Sequence, residues 1–389
     1  MISSRKIRSA LLWVHRWIGL TLGVIFVVVA LSGSLLLFQP QFFRLAYGSM
    51  IPRDLPQEMR TIDRWISNGR AAVPKLIGPV AIWGPHVEHN VSDAGMMVFA
   101  GGTPGGFGKA GLVGVLVVPN TGAILGVIDI DRSPVYAPVF LHHQLWAGPG
   151  GAIVTGIMAL FTALALFIAI YLWWPGRARV RQKLSPAPMR INFTTAARLH
   201  EWLGIWIVAV LIVLAISGLY LAQPEWMKPA LAVLPDAPAI ANSTPRDPAQ
   251  CAAAIGFDQA IARAGQFARG ETLAAIQTED LKTWDVIFRE PGSSAALRQT
   301  HVRADLNCGA VELLHSPASH GTRTGVESWL TSLHDGTAFG MPGRILVALS
   351  GIAPLVLFWS GIRMWLRRRG WIGRKRVARR VPAGSANPL

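Results

Sequence analysis

The sequence is short of charge and nearly free of cysteine. Asp, Glu, Lys and Arg make up 15% of its 389 residues, and hydrophobic residues 51%; an average soluble protein carries about 25% charged residues. So apolar a chain is not disordered, and its apolar runs are too long for an ordinary soluble enzyme. Two cysteines, Cys251 and Cys308, exclude a disulfide-dense scaffold, a zinc ribbon and a cysteine-ligated iron–sulfur cluster. No H-E-x-x-H pair and no dinucleotide or flavin fingerprint occurs. The glycine-rich stretch 101–108 has no Lys and lacks the strand–helix setting of a phosphate loop, so it reads as a turn.

Acidic residues are missing from three stretches: 1–17, 175–199 and 363–389 hold nineteen Lys and Arg and no Asp or Glu. The whole net charge of +16 therefore sits beside apolar segments, which is a membrane-orienting pattern and not a nucleic-acid footprint. Four runs, at 11–38, 152–174, 202–222 and 345–365, are long enough for a hydrocarbon core of about 30 Å. The first is too long for a cleaved signal sequence. The expected order is a cytoplasmic start at 1–10, spans at 11–39, 142–174, 200–222 and 334–366 (the second and fourth with an outer lead-in), outer segments at 40–141 and 223–333, a basic inner loop at 175–199 and a basic inner tail at 367–389. The spans read as unbroken and free of midplane charge.

The two halves repeat. His15-Arg16-Trp17-Ile18-Gly19 matches His200-Glu201-Trp202-Leu203-Gly204, with Ser32-Gly33 and Ser217-Gly218 following at equal spacing. Leu141-His142 matches Leu333-His334, each followed by glycines six and nine residues on. Equal orientation implies a parallel repeat about the membrane normal. In the outer segments, Asn120-Thr121-Gly122-Ala123 and Asn307-Cys308-Gly309-Ala310 predict hairpins of 111–118 with 123–128 and of 299–306 with 310–314. A strand at 283–289 and helices at 57–72 and 248–268 complete two small α+β modules. Both cysteines lie in the second outer segment, where an oxidising compartment allows a Cys251–Cys308 bond; two buried thiols are the alternative.

Of ten histidines, His15 and His200 fall at the inner ends of spans one and three, and His142 and His334 at the outer ends of spans two and four. A lone histidine there is satisfied by headgroups or water, but four at repeat-equivalent depths mark a site. Two histidines on different helices can supply both axial bonds to a haem iron. Gly19, Gly204, Gly148 and Gly340, four or six residues after each His, would let a flat macrocycle approach. The Ser-Gly pairs at mid-span serve either that approach or plain helix packing. Trp13, Trp17, Trp202 and Trp206 fit an interfacial belt as well as a cofactor contact. Zinc would need further Asp, Glu or Cys ligands; Glu201 and Asp335 directly follow their histidines and point about 100° away. His143 competes with His142, or hydrogen-bonds a propionate.

These paired H-x-W-x-G and L-H-x(5)-G-x(2)-G spans, with N-x-G-A hairpins between them, resemble the PepSY-associated transmembrane family, and within it ferrisiderophore reductases of the FoxB type. The resemblance covers nearly the whole chain. It implies a membrane protein of four transmembrane α-helices in two parallel internal repeats with two PepSY-like periplasmic modules, in a bacterial inner membrane with both termini cytoplasmic. It also implies two haem b groups per chain, with His15 and His200, and His142 and His334, as axial ligands. The implied activity is reduction of Fe(III) to Fe(II) in a ferric siderophore, hydroxamates being one class. A cytoplasmic or quinol donor would supply the electrons. A span of about 20 residues is roughly 30 Å long, so two relay sites serve better than one. The competing expectations are a non-catalytic sensor or peptidase-regulating module, and a siderophore transporter, which requires broken spans and midplane charge.

Overall fold

The computed structural model describes residues 4–87, 90, 92–101, 111–184, 193–235, 251, 253–278, 280–291, 299–317 and 321–372. Most of the glycine-rich 101–108 stretch, His89, His320, the 185–192 part of the basic loop, residues 248–250 and 252 of the expected 248–268 helix and the tail beyond 372 lie outside the described residues. That helix begins only at Phe257, because Ile255 N–H bonds Leu306 O instead of continuing a helix.

The first apolar run forms two helices, α1 (Ser4–Thr21) and α2 (Gly23–Leu36), bent by 59°. This corrects the expectation of an unbroken first span. The bend falls at Gly23, where the Phe358 ring occupies the place of a side chain: a Cβ there would lie 2.5 Å from Phe358 Cδ2. Then come α3 (Gln39–Tyr47), α4 (Ile62–Ala72), strands β1 (Ile77–Trp83), β2 (Gly95–Ala100), β3 (Val113–Val117) and β4 (Ile124–Asp129), and helices α5 (Ala137–Gln144), α6 (Gly148–Trp173) and α7 (Val180–Leu184). The second half comprises α8 (Phe193–Ala222), α9 (Pro224–Leu231), α10 (Phe257–Ala264), strands β5 (Thr272–Gln277), β6 (Thr283–Arg289), β7 (Gln299–Asp305) and β8 (Ala310–His315), then α11 (Thr322–His334), α12 (Gly340–Ser350) and α13 (Ala353–Arg368).

Three stretches, Gly148–Trp173, Ala196–Ala222 and Thr337–Arg368, are long and apolar enough to cross a membrane, and four if the bent pair counts as one. On α6, Ile157, Leu160, Leu164 and Phe167 stay exposed; an apolar outer face on an apolar helix is what lipid contact requires. Inward, Gly156, Ala159 and Ala163 are small and buried, which lets α6 and α8 approach closely.

The outer strands do not make two separate sheets. They form one antiparallel sheet of order β4-β3-β2-β1-β5-β6-β7-β8, joined where Ala81, Ile82 and Trp83 pair with Gln277, Ile276 and Ala275. Both predicted hairpins are present, as β3–β4 and β7–β8. Gly122 and Gly309 turn them at φ +68° and +64°, a backbone region that favours glycine. One sheet face packs on α4 and α10 through Trp65, Ile66, Ile82, Met97, Ala264 and Val302. The other packs on α3 and α5 through Phe43, Met96, Leu116, Val139 and Phe140, which seats the sheet on the helix bundle. A Cys251–Cys308 disulfide ties the approach to α10 to the β7–β8 turn.

Candidate functional site: two histidine pairs

The four repeat-related histidines come together as two pairs. The rings of His15 on α1 and His200 on α8 are 6.4 Å apart, centre to centre. Those of His142 on α5 and His334 on α11 are 5.9 Å apart. The His142–His334 pair, the outer one in the expected orientation as His15–His200 is the inner one, differs from expectation in its support. His142 and His334 do not stand on the spanning helices, but close the short helices before them. After α5 the chain turns at Leu145 and Trp146, both at positive φ, and after α11 at Gly336. His200 lies inside α8, which begins at Phe193, and not at its first turn.

All four rings are fixed in one way. His15 Nδ1 donates to Ala165 O at 3.0 Å. His142 Nδ1 donates to Val29 O at 2.7 Å. His200 Nδ1 faces Leu357 O and Ser360 Oγ, both at 3.0 Å. His334 Nδ1 donates to Ser217 Oγ at 3.0 Å, whose own proton goes to Val213 O. A carbonyl oxygen only accepts, so Nδ1 carries the proton and Nε2 keeps its lone pair. Among the described residues none of the four Nε2 atoms makes a hydrogen bond. This is the usual state of metal-ligating imidazoles, whose second nitrogen is held by a backbone or side-chain acceptor.

The Ser-Gly pairs have a definite role here. They sit near the C-terminal ends of α2 and α8, not at mid-span. A Cβ on Gly33 would lie 2.6 Å from His142 Cε1, and one on Gly218 3.0 Å from His334 Cε1. The glycines admit the rings, and Ser217 anchors one of them. Gly361 also faces the His200 ring, but its Cβ position lies 3.6 Å from Cε1, an ordinary contact, so the ring is not seated on that glycine as the other two are. Ser360 and Gly361 are not legible from the repeat, because the first half carries Ile168 and Ala169 at the matching positions of α6. By contrast, Gly19, Gly148 and Gly340 have no atom within 4 Å of their Cβ positions, and Gly204 has only Leu357 Cδ2 at 3.8 Å. The space above these glycines is open.

A cavity of 690 Å³ holds the inner pair. Apolar side chains of α1, α6, α8 and α13 line it, with Gly19, Gly204, Trp173 and Trp365, and its rim carries Arg8, Arg16, Arg179, Lys183 and Arg368. Cofactor sites run about 300–1,000 Å³. Imidazole–metal bonds of about 2 Å on opposite sides of one metal hold two ring centres about 6 Å apart. Ring spacing, free Nε2 atoms, open glycines and a basic rim for carboxylates all fit a haem at the inner pair; ring spacing and free Nε2 atoms fit one at the outer pair. His143 lies beside His142, the ring seated on Gly33, with centres 5.6 Å apart and planes tilted by 57°. Glu201 pairs with Lys183 at 2.5 Å, and Asp335 caps the turn at Thr337, so both are spoken for. Among the described residues no three His, Cys, Asp or Glu side chains converge as metal ligands. Trp13, Trp17 and Trp206 are exposed, as an interfacial belt requires.

An apolar helix bundle bearing a single sheet on one end, with half-buried histidines between its helices, is a membrane protein with a sheet domain. The chain belongs to the family described as the PepSY-associated TM region, which matches residues 12–368. No curated protein matches it.

Proposed function

We propose that the protein is a di-haem oxidoreductase of a bacterial inner membrane that passes electrons outward and reduces a ferric siderophore. The observation that carries this is the common state of the four histidines: two pairs at haem-ligand spacing, each ring with Nδ1 held and Nε2 free. One haem b in each pair would carry one electron at a time. The chain's own residues do the rest. Val29, Ala165, Leu357 and Ser217 orient the rings, the glycines leave room, apolar walls exclude water at the inner pair, and the basic rim receives carboxylates. Iron(III) held by hard oxygen ligands is released after reduction, because those ligands bind Fe(II) less well.

The symmetric strand order about the β1–β5 seam and the repeat-equivalent histidines support two parallel repeats, each ending in a PepSY-like half-sheet. The three basic patches support cytoplasmic termini and a periplasmic sheet. The donor is a cytoplasmic protein, a soluble reductant or a quinol. The bend at Gly23 and the break between α12 and α13 in the fourth span favour a transporter, but the span interiors carry no charge, and a transporter has no use for four free Nε2 atoms. The test is a reduced-minus-oxidised spectrum of the purified chain with a haem count, followed by ferric siderophore. Two haems per chain, reoxidised on addition, is the expected result; a colourless protein overturns the reading.

A further inference from the structure

The strand register allows the two half-sheets to be compared position by position. Ile82 and Ile276 pair at the seam, Ile82 pairs with Met97 and Ile276 with Val286, so Met97 corresponds to Val286. Met97 pairs onward with Val115 and Val286 with Val302. On the face turned toward the bundle, Met96, Ala100, Gly114 and Leu116 of the first half therefore correspond to Asp285, Arg289, His301 and Arg303 of the second. The first set is buried apolar core, filled from below by Val139 and Phe140 of α5. The second set is ionisable and partly accessible, and α11, the counterpart of α5, buries no residue.

Two atoms of this face have unmet hydrogen-bonding capacity. Asp285 Oδ1 and Arg289 Nε are buried without a partner, an arrangement that costs free energy unless something else supplies the bond. Arg289 Nη1 holds His86 O at 3.0 Å, and Asp285 Oδ2 accepts from His301 Nδ1 at 2.9 Å, so both side chains are fixed in place. His301 Nε2 has only a long contact of 3.3 Å to Gln299 Oε1, which a ligand oxygen can replace. His315 lies beside His301, rings 6.0 Å apart.

We propose that this ionisable face of β6–β8 receives the iron chelate. The inference rests on the reductase reading and adds where the substrate sits. An iron(III) chelate of hard oxygen donors presents acceptor oxygens around its metal, and the guanidinium of Arg289 and the imidazole of His301 are their natural partners. Asp285, whose Oδ1 is itself an acceptor and is not met by them, serves to hold the His301 ring beside the site. The face is turned to the side of the sheet from which α5 leads to His142, so a chelate held there stands on the side of the outer histidine pair.

The test uses the gallium(III) complex of a linear trihydroxamate, which has the shape and oxygens of the iron complex but is not reduced. Calorimetric titration of the full-length protein in detergent should give a measurable affinity. Arg289→Gln and His301→Gln should each weaken it roughly tenfold, while Arg132→Gln, on the exposed turn after β4, should not change it. Equal affinity in all four proteins, or no binding by the wild type, overturns the proposal; should Arg289→Gln fail to fold, His301→Gln decides alone. Failure of the reductase reading looks different: gallium chelate still binds, and the iron chelate is never reduced. If iron chelate is reduced while both variants bind gallium chelate normally, the surface assignment is wrong and the reductase reading stands.

Discussion

Asp63 and Asp258 each cap the other's helix. Asp63 in the first turn of α4 accepts from the backbone N–H of Phe257 at 2.9 Å and of Asp258 at 3.1 Å, at the start of α10. Asp258 returns a bond from its Oδ1 to Ile62 N–H at 2.7 Å, at the start of α4. Neither helix has a side-chain cap of its own. The free N–H groups of each helix start, and the positive end of its dipole, are thus met across the seam that joins the two half-sheets.

This exchange has a pH signature. Burial, with the nearby Asp63 charge adding, holds the Asp258 carboxyl above its ordinary 3.8. A raised carboxyl favours the protonated form in the fold, so its contribution is present at low pH and lost as pH rises through the raised value. Asp258→Asn keeps an acceptor for Ile62 N–H without the charge. Thermal melts should show it equal to wild type near pH 4 and more stable at neutral pH. Asp63→Ala, which removes an acceptor outright, should cost about 1 kcal/mol.

On the di-haem reading proposed above, the histidine pairs divide the work. His200→Ala should lose about one haem and keep the outer one, and His334→Ala should do the converse. Both should stop electrons crossing from the inner side. With an artificial reductant supplied outside, only the His200 variant should still reduce the ferric chelate. Full haem retention in both variants would sink the two-site assignment.

Gly33→Ala places a methyl group 2.6 Å from His142 Cε1, closer than packed atoms stand. It should displace the ring and lower the haem count at the outer pair, leaving the inner pair intact. Gly150→Ala, with no atom within 4 Å of its Cβ position, is the control and should bind haem as wild type does. Absorbance per chain for the two variants checks this.

Thiol labelling of the denatured, unreduced protein should find neither Cys251 nor Cys308 reactive. Cys308→Ser should lower the stability of the sheet by roughly 2–4 kcal/mol, read as an earlier unfolding transition. Labelling of both cysteines before reduction would refute the bond.

Much of this arrangement is legible from sequence. Hydropathy locates the spans, and the N-x-G-A turns locate β3–β4 and β7–β8, because glycine at positive φ is a local requirement. The repeat alone pairs His15 with His200 and His142 with His334. What sequence did not reveal depends on distant partners. β1 and β2 were missed, since Gly95–Ala100 is buried on both faces and shows no alternation, and Gly78-Pro79 interrupts β1. β5 lay hidden for the same reason, with Ala274, Ala275 and Ile276 all buried in succession. Nothing local announces that β1 and β5 pair, so two modules were expected where one sheet stands. The kink at Gly23 depends on Phe358, far along the chain, and the role of Ser32-Gly33 and Ser217-Gly218 on histidines that arrive from other helices.

The seam between β1 and β5 sets a condition on how the protein is made. β1 is synthesised long before β5, with two apolar helices, α6 and α8, between them in the chain. Until β5 arrives, the growing protein carries a four-stranded sheet whose β1 edge has unpaired backbone groups, the kind of edge that recruits strands from other molecules. During that interval α10 is also absent, so the N-terminus of α4 waits uncapped. Assembly is therefore completed only once the second half has been made, and a chain stalled after α6 should be an aggregation hazard or a client for a holding chaperone, not a stable half-protein.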